Sequence, residues 1–444
     1  MMSSAEKEAA AQPRKAAIVE GGAGKIFRNA GALLSGKAVG GVLSLAYLAI
    51  AARALGPTDM GFLVIASAYA LTVAGLVRFQ SWQAIIRFGT PMLEADGDDE
   101  LRSLIRFTLR LDLASAVAGV AVALTFVGVA AKAFDWPAEA MPLIYLYCFA
   151  VPFLIAATPT GVLRLFDCFH LLGWQMLASP VIRFVGAIAA WATGGGLAVF
   201  ILIWMFSGIF DGVVLWFLGW RELKRRRLAP RVFGGSPGAS APRAWLDYMI
   251  KSNLSSIFDM ARNGLPTLIV GGVLGSAASG YLQLATNLTN LIAHPANMLS
   301  HATLPELTKL AVAESRERML AVAYRTMRIG ILAAAPLAFL FVLFREPLVT
   351  AVGGSEFAPA AAVLALMALT KLPRIASIVS ESASLSLGFV GVSLGAQAAA
   401  AAAQIAALFL LMPHLGVVAA PASLMIGFAV MTLIHAVGLR RAAA

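Results

Sequence analysis

The sequence predicts an all-α polytopic membrane protein with about twelve transmembrane helices arranged as two six-helix lobes around a central cavity. Three observations carry that expectation. Of 444 residues, 60% are hydrophobic and 13% charged, whereas a soluble domain carries about 25% charge. The apolar residues fall into runs of roughly 20, long enough to cross a bilayer as helices. A basic linker divides these runs six and six, and a short motif recurs across it. Outer-membrane barrels show alternating segments of about ten residues, a pattern this chain lacks.

The chain opens with residues 1–28, which are polar and small and have no compact apolar core followed by a cleavage site. They read as a disordered cytoplasmic tail rather than a signal peptide. The apolar runs that follow place spans at 30–52, 61–81, 108–131, 140–162, 172–193, 196–219, 247–271, 280–302, 325–344, 359–379, 384–411 and 416–438. An even number puts both termini on one side. With the N-terminus inside, the cytoplasmic segments collect most of the 34 Lys and Arg, including Arg87, Arg102, Arg106, Lys224 to Arg227, Lys371, Arg374, Arg440 and Arg441. The outer loops hold only Arg53, Lys132 and Arg345. That asymmetry fixes the expected orientation by the positive-inside rule. It also places the net charge of +11 at a membrane face rather than on nucleic acid. The acidic run DGDDE at 96–100 reads as a solvated cytoplasmic turn among arginines. Cys148 and Cys168 sit on different segments without metal-ligand spacing, and read as two inert buried thiols.

The longest interruption, WRELKRRRLAPRVFGGSPGASAPRAW at 220–245, is basic and then rich in Gly, Pro and Ser. It reads as a cytoplasmic linker between a lobe at 29–219 and a lobe at 246–439. LGPTDMGF at 55–62 and LGSAASGY at 274–281 match at an offset of 219, each in the outer turn between the first and second span of its half. Six spans per half make the halves parallel repeats about an axis along the membrane normal.

Charges inside a bilayer cost at least ~2.5–3.5 kcal/mol each and normally face a bundle interior or a hydrated cavity. The candidates are Lys37, Arg78, Arg183, Asp211, Asp259, Arg262 and Glu381. Span 8 adds a stripe of Asn287, Asn290, His294, Asn297 and His301, spaced by three and four residues and therefore on one helix face. Shifted by 219, Asn297 corresponds to Arg78 and His294 to Gly75. Span 7 carries Asn253, Ser256, Asp259 and Arg262 or Asn263 in a similar row. One cavity between the lobes, walled by spans 1, 2, 7 and 8, satisfies all these positions. The competing readings are structural. Asp259 and Arg262 can pair across one turn. The asparagines can join helices. His294 can satisfy carbonyls freed by Pro295, and Lys37 and Arg78 can snorkel to an interface.

A phosphate loop of the GK[ST] type, an HExxH motif and a Cys/His cluster are all lacking, so the pattern points to transport without a cofactor rather than to a reaction. ARALGPTDMGF at 52–62 resembles the start of the second span in Wzx-type polysaccharide flippases. LPTLIVGGVLGSAASGYLQLATNL at 265–288, followed by LPEL at 304–307, is similar to the matching part of that family, as is the Arg-Leu-Phe-Asp turn at 164–167. These flippases belong to the multidrug/oligosaccharidyl-lipid/polysaccharide (MOP) exporter superfamily. The resemblance implies two lobes in a V, alternating access, and an inner-membrane location. It implies a polyprenyl-diphosphate-linked oligosaccharide as cargo, in contact with membrane lipids and shared with glycosyltransferases and a glycan polymerase. Lys37, Arg78 and Arg262 suit the diphosphate as charge-assisted donors, and the Asn and His residues of span 8 suit sugar hydroxyls. Asp259 is the titratable candidate for ion coupling. The alternatives are a cation-coupled multidrug exporter of the same fold, a lipid II flippase, and a membrane glycosyltransferase or polymerase. The last would need an outer catalytic loop, which this chain has no room for.

Overall fold

The computed structural model describes residues 22–95, 97–133, 136, 141–230, 243–290, 292 and 316–441. Every regular element among them is a helix, as a bilayer demands of a chain whose backbone must satisfy its own hydrogen bonds. The first lobe comprises α1 (Gly22–Val77), α2 (Ser81–Glu94), α3 (Asp98–Ala133), α4 (Met141–Cys148), α5 (Ala157–Leu165), α6 (Phe169–Ala192) and α7 (Leu197–Arg225). The second comprises α8 (Arg243–Asn263), α9 (Leu265–Leu274), α10 (276–290), α11 (Arg316–Leu343), α12 (Arg345–Gly353), α13 (Ala360–Leu369), α14 (Lys371–Ser386), α15 (Val390–Leu415) and α16 (Ala419–Arg441).

Seven stretches among the described residues are long and apolar enough to cross a membrane, and the bent pair Met141–Cys148 and Val151–Leu165 makes an eighth. Two of the seven are long and broken within. Val39–Val77 runs 39 residues and Gly391–Leu439 runs 49, against about 20 for a bilayer core. The first breaks at Gly56 and the second at Gly416, both with positive φ. Each therefore holds two of the expected spans. The exterior is apolar and bare: Leu332 and Leu410 are 71% and 72% exposed, as lipid-facing side chains are. Cys148 and Cys168 are free and buried.

Two expectations change. The segment between the second and third spans is not a simple loop. It contains α2, whose Ser81, Ala84, Ile85 and Gly89 are buried. Lys371 and Arg374, grouped above with the cytoplasmic loops, lie midway along the Ala360–Ser386 stretch. Lys371 is only 4% exposed. Within the expected linker 220–245, helix continues to Arg225 and resumes at Arg243.

The repeat motifs meet in space. Gly56 (φ 70, ψ 177) and Gly275 (φ 88, ψ 161) share one backbone conformation, in the left-handed region that L side chains avoid. The helices after them cross at glycine. A Cβ on Gly61 would sit 1.8 Å from the Ser276 carbonyl oxygen, and one on Gly280 would sit 2.6 Å from the Pro57 carbonyl oxygen. Gly61 and Gly280 are repeat mates, as are Pro57 and Ser276, so the contact is reciprocal about a pseudo-twofold axis. Arg53 adds a hydrogen bond to the Ala351 carbonyl, and Tyr281 packs edge-on against Phe357 at 5.8 Å.

At the opposite end the lobes touch again. Phe88 of α2 packs on Trp245 and Tyr248 of α8 at 6.4 and 5.6 Å. Arg87 stacks over the Tyr248 ring at 4.7 Å, and Ser252 hydrogen-bonds Gln83. Trp245 is buried in a cluster with Leu101, Leu104 and Leu223 of the first lobe. The cavity lies between these two closures.

Gly61→Ala should open the Gly56 end. The new methyl meets backbone rather than a flexible tip, and overpacking of this kind costs about 1–3 kcal/mol, a shift of roughly 5–150-fold between conformers. A cysteine in place of Ala74 should then react faster with a non-permeant maleimide presented to the Gly56 side. Equal labelling in Gly61→Ala and its parent would refute the closure.

Candidate functional site: a cavity between the lobes

A cavity of about 450 Å3 opens between the lobes. The first lobe contributes Leu71, Ala74, Gly75, Arg78 and Gln80 from the end of α1 and the turn beyond it, with Leu154. The second contributes Ser255, Ser256, Asp259, Met260, Arg262 and Asn263 of α8, Glu381 of α14, Gln397 of α15 and Met431 of α16. The two walls differ in kind. Apart from Arg78 and Gln80 the first is apolar, whereas the second is polar and carries both carboxylates.

Arg262 is 6% exposed. Its guanidinium donates to the Met431 thioether at 3.2 Å and lies 4.8 Å over the Phe428 ring, while its Nε has no hydrogen-bond partner. Gln404 fixes its backbone by donating to the Arg262 carbonyl at 2.8 Å. The pairing of Asp259 with Arg262 is not formed: the salt bridges among the described residues join Arg102, Arg225 and Arg226 to acids elsewhere. Asp259 instead accepts from Asn263 Nδ2 at 3.0 Å. Glu381 Oε1 accepts from Gln397 Nε2 at 2.6 Å and from Ser393 at 3.2 Å, and Ser255 donates to Gln397 Oε1 at 2.7 Å. Arg374 lies within Coulombic reach of Asp259. Buried cations without a direct carboxylate keep donors free for an anionic ligand.

Arg78 follows the last turn of α1, where Asp112 of α3 organises the chain. Asp112 is 1% exposed. It accepts from Ser81 Oγ at 2.9 Å, at the start of α2, and from the Thr158 backbone N–H at 2.7 Å, in the first turn of α5. A carboxylate at a helix N-terminus satisfies an otherwise orphaned donor. Asp112 also lies within Coulombic reach of Arg78. It is absent from the sequence candidates, because LRLDLAS opens the apolar run at 108–131. Its position inside an apolar run was the available signal.

Toward the Gly56 end the cavity continues into a second chamber of about 260 Å3 that reaches Tyr47, Arg183, Trp204 and Gln283. Of the expected walls, spans 2 and 7 line both chambers, and spans 1 and 8 enter through Tyr47 and Gln283. Spans 4, 5, 6, 11 and 12 contribute as well, as does Glu381 just beyond span 10. The span 8 stripe is only partly described. Asn287 and Asn290 are half-buried on α10, and neither lines these chambers. His294, Asn297 and His301 lie outside the described residues, as does the side chain of Lys37. The repeat still speaks to that face. The mates of positions 283, 287, 290, 294 and 297 are Val64, Ala68, Leu71, Gly75 and Arg78, and all five line the cavity. The mate of Lys37 is Ser256, which lines it too.

Two six-helix lobes related by a pseudo-twofold axis, with a charged cavity between them, define the MOP superfamily transporter fold. The chain superposes on an inward-facing multidrug resistance MATE family transporter of that superfamily with a TM-score of 0.72, at 14% identity, covering 90% of this chain and 94% of that one. The lipid II flippase MurJ in an inward closed conformation follows at 0.71 and 12% identity, covering 92% of this chain and 87% of that one. Residues 50–362 match the polysaccharide biosynthesis protein family, and the chain belongs to that family. It is 29% identical over 334 residues to the inner membrane protein YghQ of Escherichia coli (strain K12), covering 75% of this chain and 93% of that protein.

Asp112→Ala should destabilise the protein by about 1–3 kcal/mol, since it strands the buried Thr158 N–H. Thermal unfolding in detergent will report this. Asp112→Asn retains one acceptor and should lose less; equal melting of both variants and the parent would refute the role.

Proposed function

We propose that this protein is a flippase of the bacterial inner membrane, moving a polyprenyl-diphosphate-linked oligosaccharide from the cytoplasmic to the periplasmic leaflet for cell-surface polysaccharide biosynthesis. Both termini are cytoplasmic in this reading, which follows the distribution of Lys and Arg. The observation that carries it is the pair Arg78 and Arg262, presented from opposite lobes to one cavity of about 450 Å3. A cation from each lobe can hold a diphosphate between them, as charge-assisted donors. Lys37 and the span 8 residues Asn287, Asn290, His294, Asn297 and His301 extend the proposed binding face.

Membership of a polysaccharide biosynthesis family supports the cargo class, and the likeness to a lipid II flippase supports a lipid-linked substrate. Contacts between the lobes at both ends of the cavity support the alternating-access part of this reading. A diphosphate carries about two negative charges, and an inside-negative potential drives its outward movement by ~2.3 kcal/mol per charge per 100 mV. Asp259, which faces the cavity, is the proposed ion-coupling residue. Glycosyltransferases that build the cargo and a polymerase that consumes it are the proposed partners.

A cation-coupled drug exporter draws support from Asp259 and Glu381, both on the second lobe's wall. Arg262 on the same wall and Arg78 opposite it disfavour a cationic cargo.

A strain lacking the gene should accumulate one polyprenyl-diphosphate-linked repeat unit, visible by mass spectrometry of extracted lipids and shielded from a non-permeant periplasmic probe. Arg78→Ala and Arg262→Ala proteins should each fail to clear it. An unchanged lipid pool, with cationic dyes accumulating in the cell instead, would establish the exporter.

A further inference from the structure

The second chamber has no task in the diphosphate reading. It shares Leu71, Leu154, Met260 and Asn263 with the main cavity and lies about a helical turn nearer the Gly56 end. Its walls are neither lipid-like nor simply cationic. Tyr47, Tyr147 and Trp204 form an aromatic floor, and Arg183, Thr72 and Gln283 supply the polar groups.

Arg183 is held in place. Its Nε donates to Ser207 Oγ at 2.7 Å, its Nη1 donates to the Tyr47 hydroxyl at 3.3 Å, and its plane lies 4.6 Å over Trp204. Ser207 is itself anchored on the Trp204 carbonyl at 2.7 Å. These contacts use two of the three guanidinium nitrogens in a rigid fork. Thr72 is 6% exposed, and its hydroxyl is buried without a hydrogen-bond partner. Gly264 leaves the space beside it, since a Cβ there would stand 3.1 Å from Thr72 Oγ1. A buried hydroxyl with no partner is costly unless a ligand completes it. Gln283 and Asn263 add amides that both donate and accept.

We propose that this chamber seats a sugar residue of the cargo, the one attached to the diphosphate that Arg78 and Arg262 hold. The inference rests on the flippase reading and extends it. A sugar ring offers hydroxyls that donate and accept, set around apolar C–H surfaces, and the chamber offers the complement of both. At about 260 Å3 it falls below the ~300–1,000 Å3 of pockets for drug-sized ligands, so it takes one ring rather than a chain. A rigid guanidinium there also disfavours an organic cation.

The test measures binding by the purified full-length protein in nanodiscs, using native mass spectrometry. The probes are undecaprenyl diphosphate alone and the same lipid carrying glucose, galactose, N-acetylglucosamine or glucuronic acid. The parent protein should bind the bare lipid and bind at least one glycosylated lipid more tightly. Thr72→Val and Gln283→Leu should leave the bare lipid's affinity within twofold and reduce the sugar's added affinity by roughly three- to tenfold, the value of one hydrogen bond. Arg78→Ala should weaken all probes alike. If every lipid binds but no sugar adds affinity, or the gain survives both variants, the chamber is not a sugar site. If no lipid binds at all, the flippase reading fails first and the inference with it.

Discussion

The crossing of the second and eighth spans governs the rest of the molecule. Gly61 lies against the Ser276 carbonyl and Gly280 against the Pro57 carbonyl, so two backbones approach more closely than any side chain allows. In a bilayer, where apolar side chains gain little by leaving lipid, such close packing is a main source of helix association. The crossing sits just beyond Gly56 and Gly275, which end the preceding helices by adopting positive φ. Both lobes are thereby pinned at one end, and the spans diverge from that point. The separation that results is the cavity.

The two walls of that cavity are not equivalent, although the repeats that build them are. Along the second span the lining face runs Val64, Ala68, Leu71 and Gly75 before reaching Arg78. The corresponding sequence positions of the eighth are Gln283, Asn287, Asn290, His294 and Asn297, of which Gln283 lines the second chamber. Ser255, Asp259, Glu381 and Gln397 deepen the contrast. An amphipathic lining of this kind suits the proposed cargo, which is itself part lipid and part polar. The buried cations are steadied by rings and a thioether rather than by carboxylates, as Arg262 on Phe428 and Met431 illustrates. Direct pairing would have satisfied them internally.

Much of this was legible in the sequence, for reasons that can be stated. Span positions follow from run length, and the broken helices at Gly56 and Gly416 fall where the turns between spans were expected. The row Ser256, Asp259, Arg262 on span 7 faces the cavity because helical spacing dictates a common face. Charge position was less legible. Lys371 and Arg374 were grouped with the loops because the positive-inside rule counts residues and does not see a helix running on to Ser386. Asp112 escaped notice because its role depends on Ser81 and Thr158, brought to it only by folding. The Tyr47, Arg183 and Trp204 grouping joins three separate spans, and no local pattern announces it.

The reciprocal contact between the repeats also bears on ancestry. A contact in which one patch touches its own copy, and the copy touches it back, is the isologous interface of a two-fold dimer. Six crossings per half return each half to the side from which it started, so two identical six-helix chains inserted in the same orientation could have met through these glycines. Fusion by a polar connector would then have preserved the interface while releasing the two copies from identity. The divergence of Arg78 from Asn297, and of Val64 from Gln283, is what such a release permits: both copies kept the packing glycines, and each was free to change the residues on its lining face.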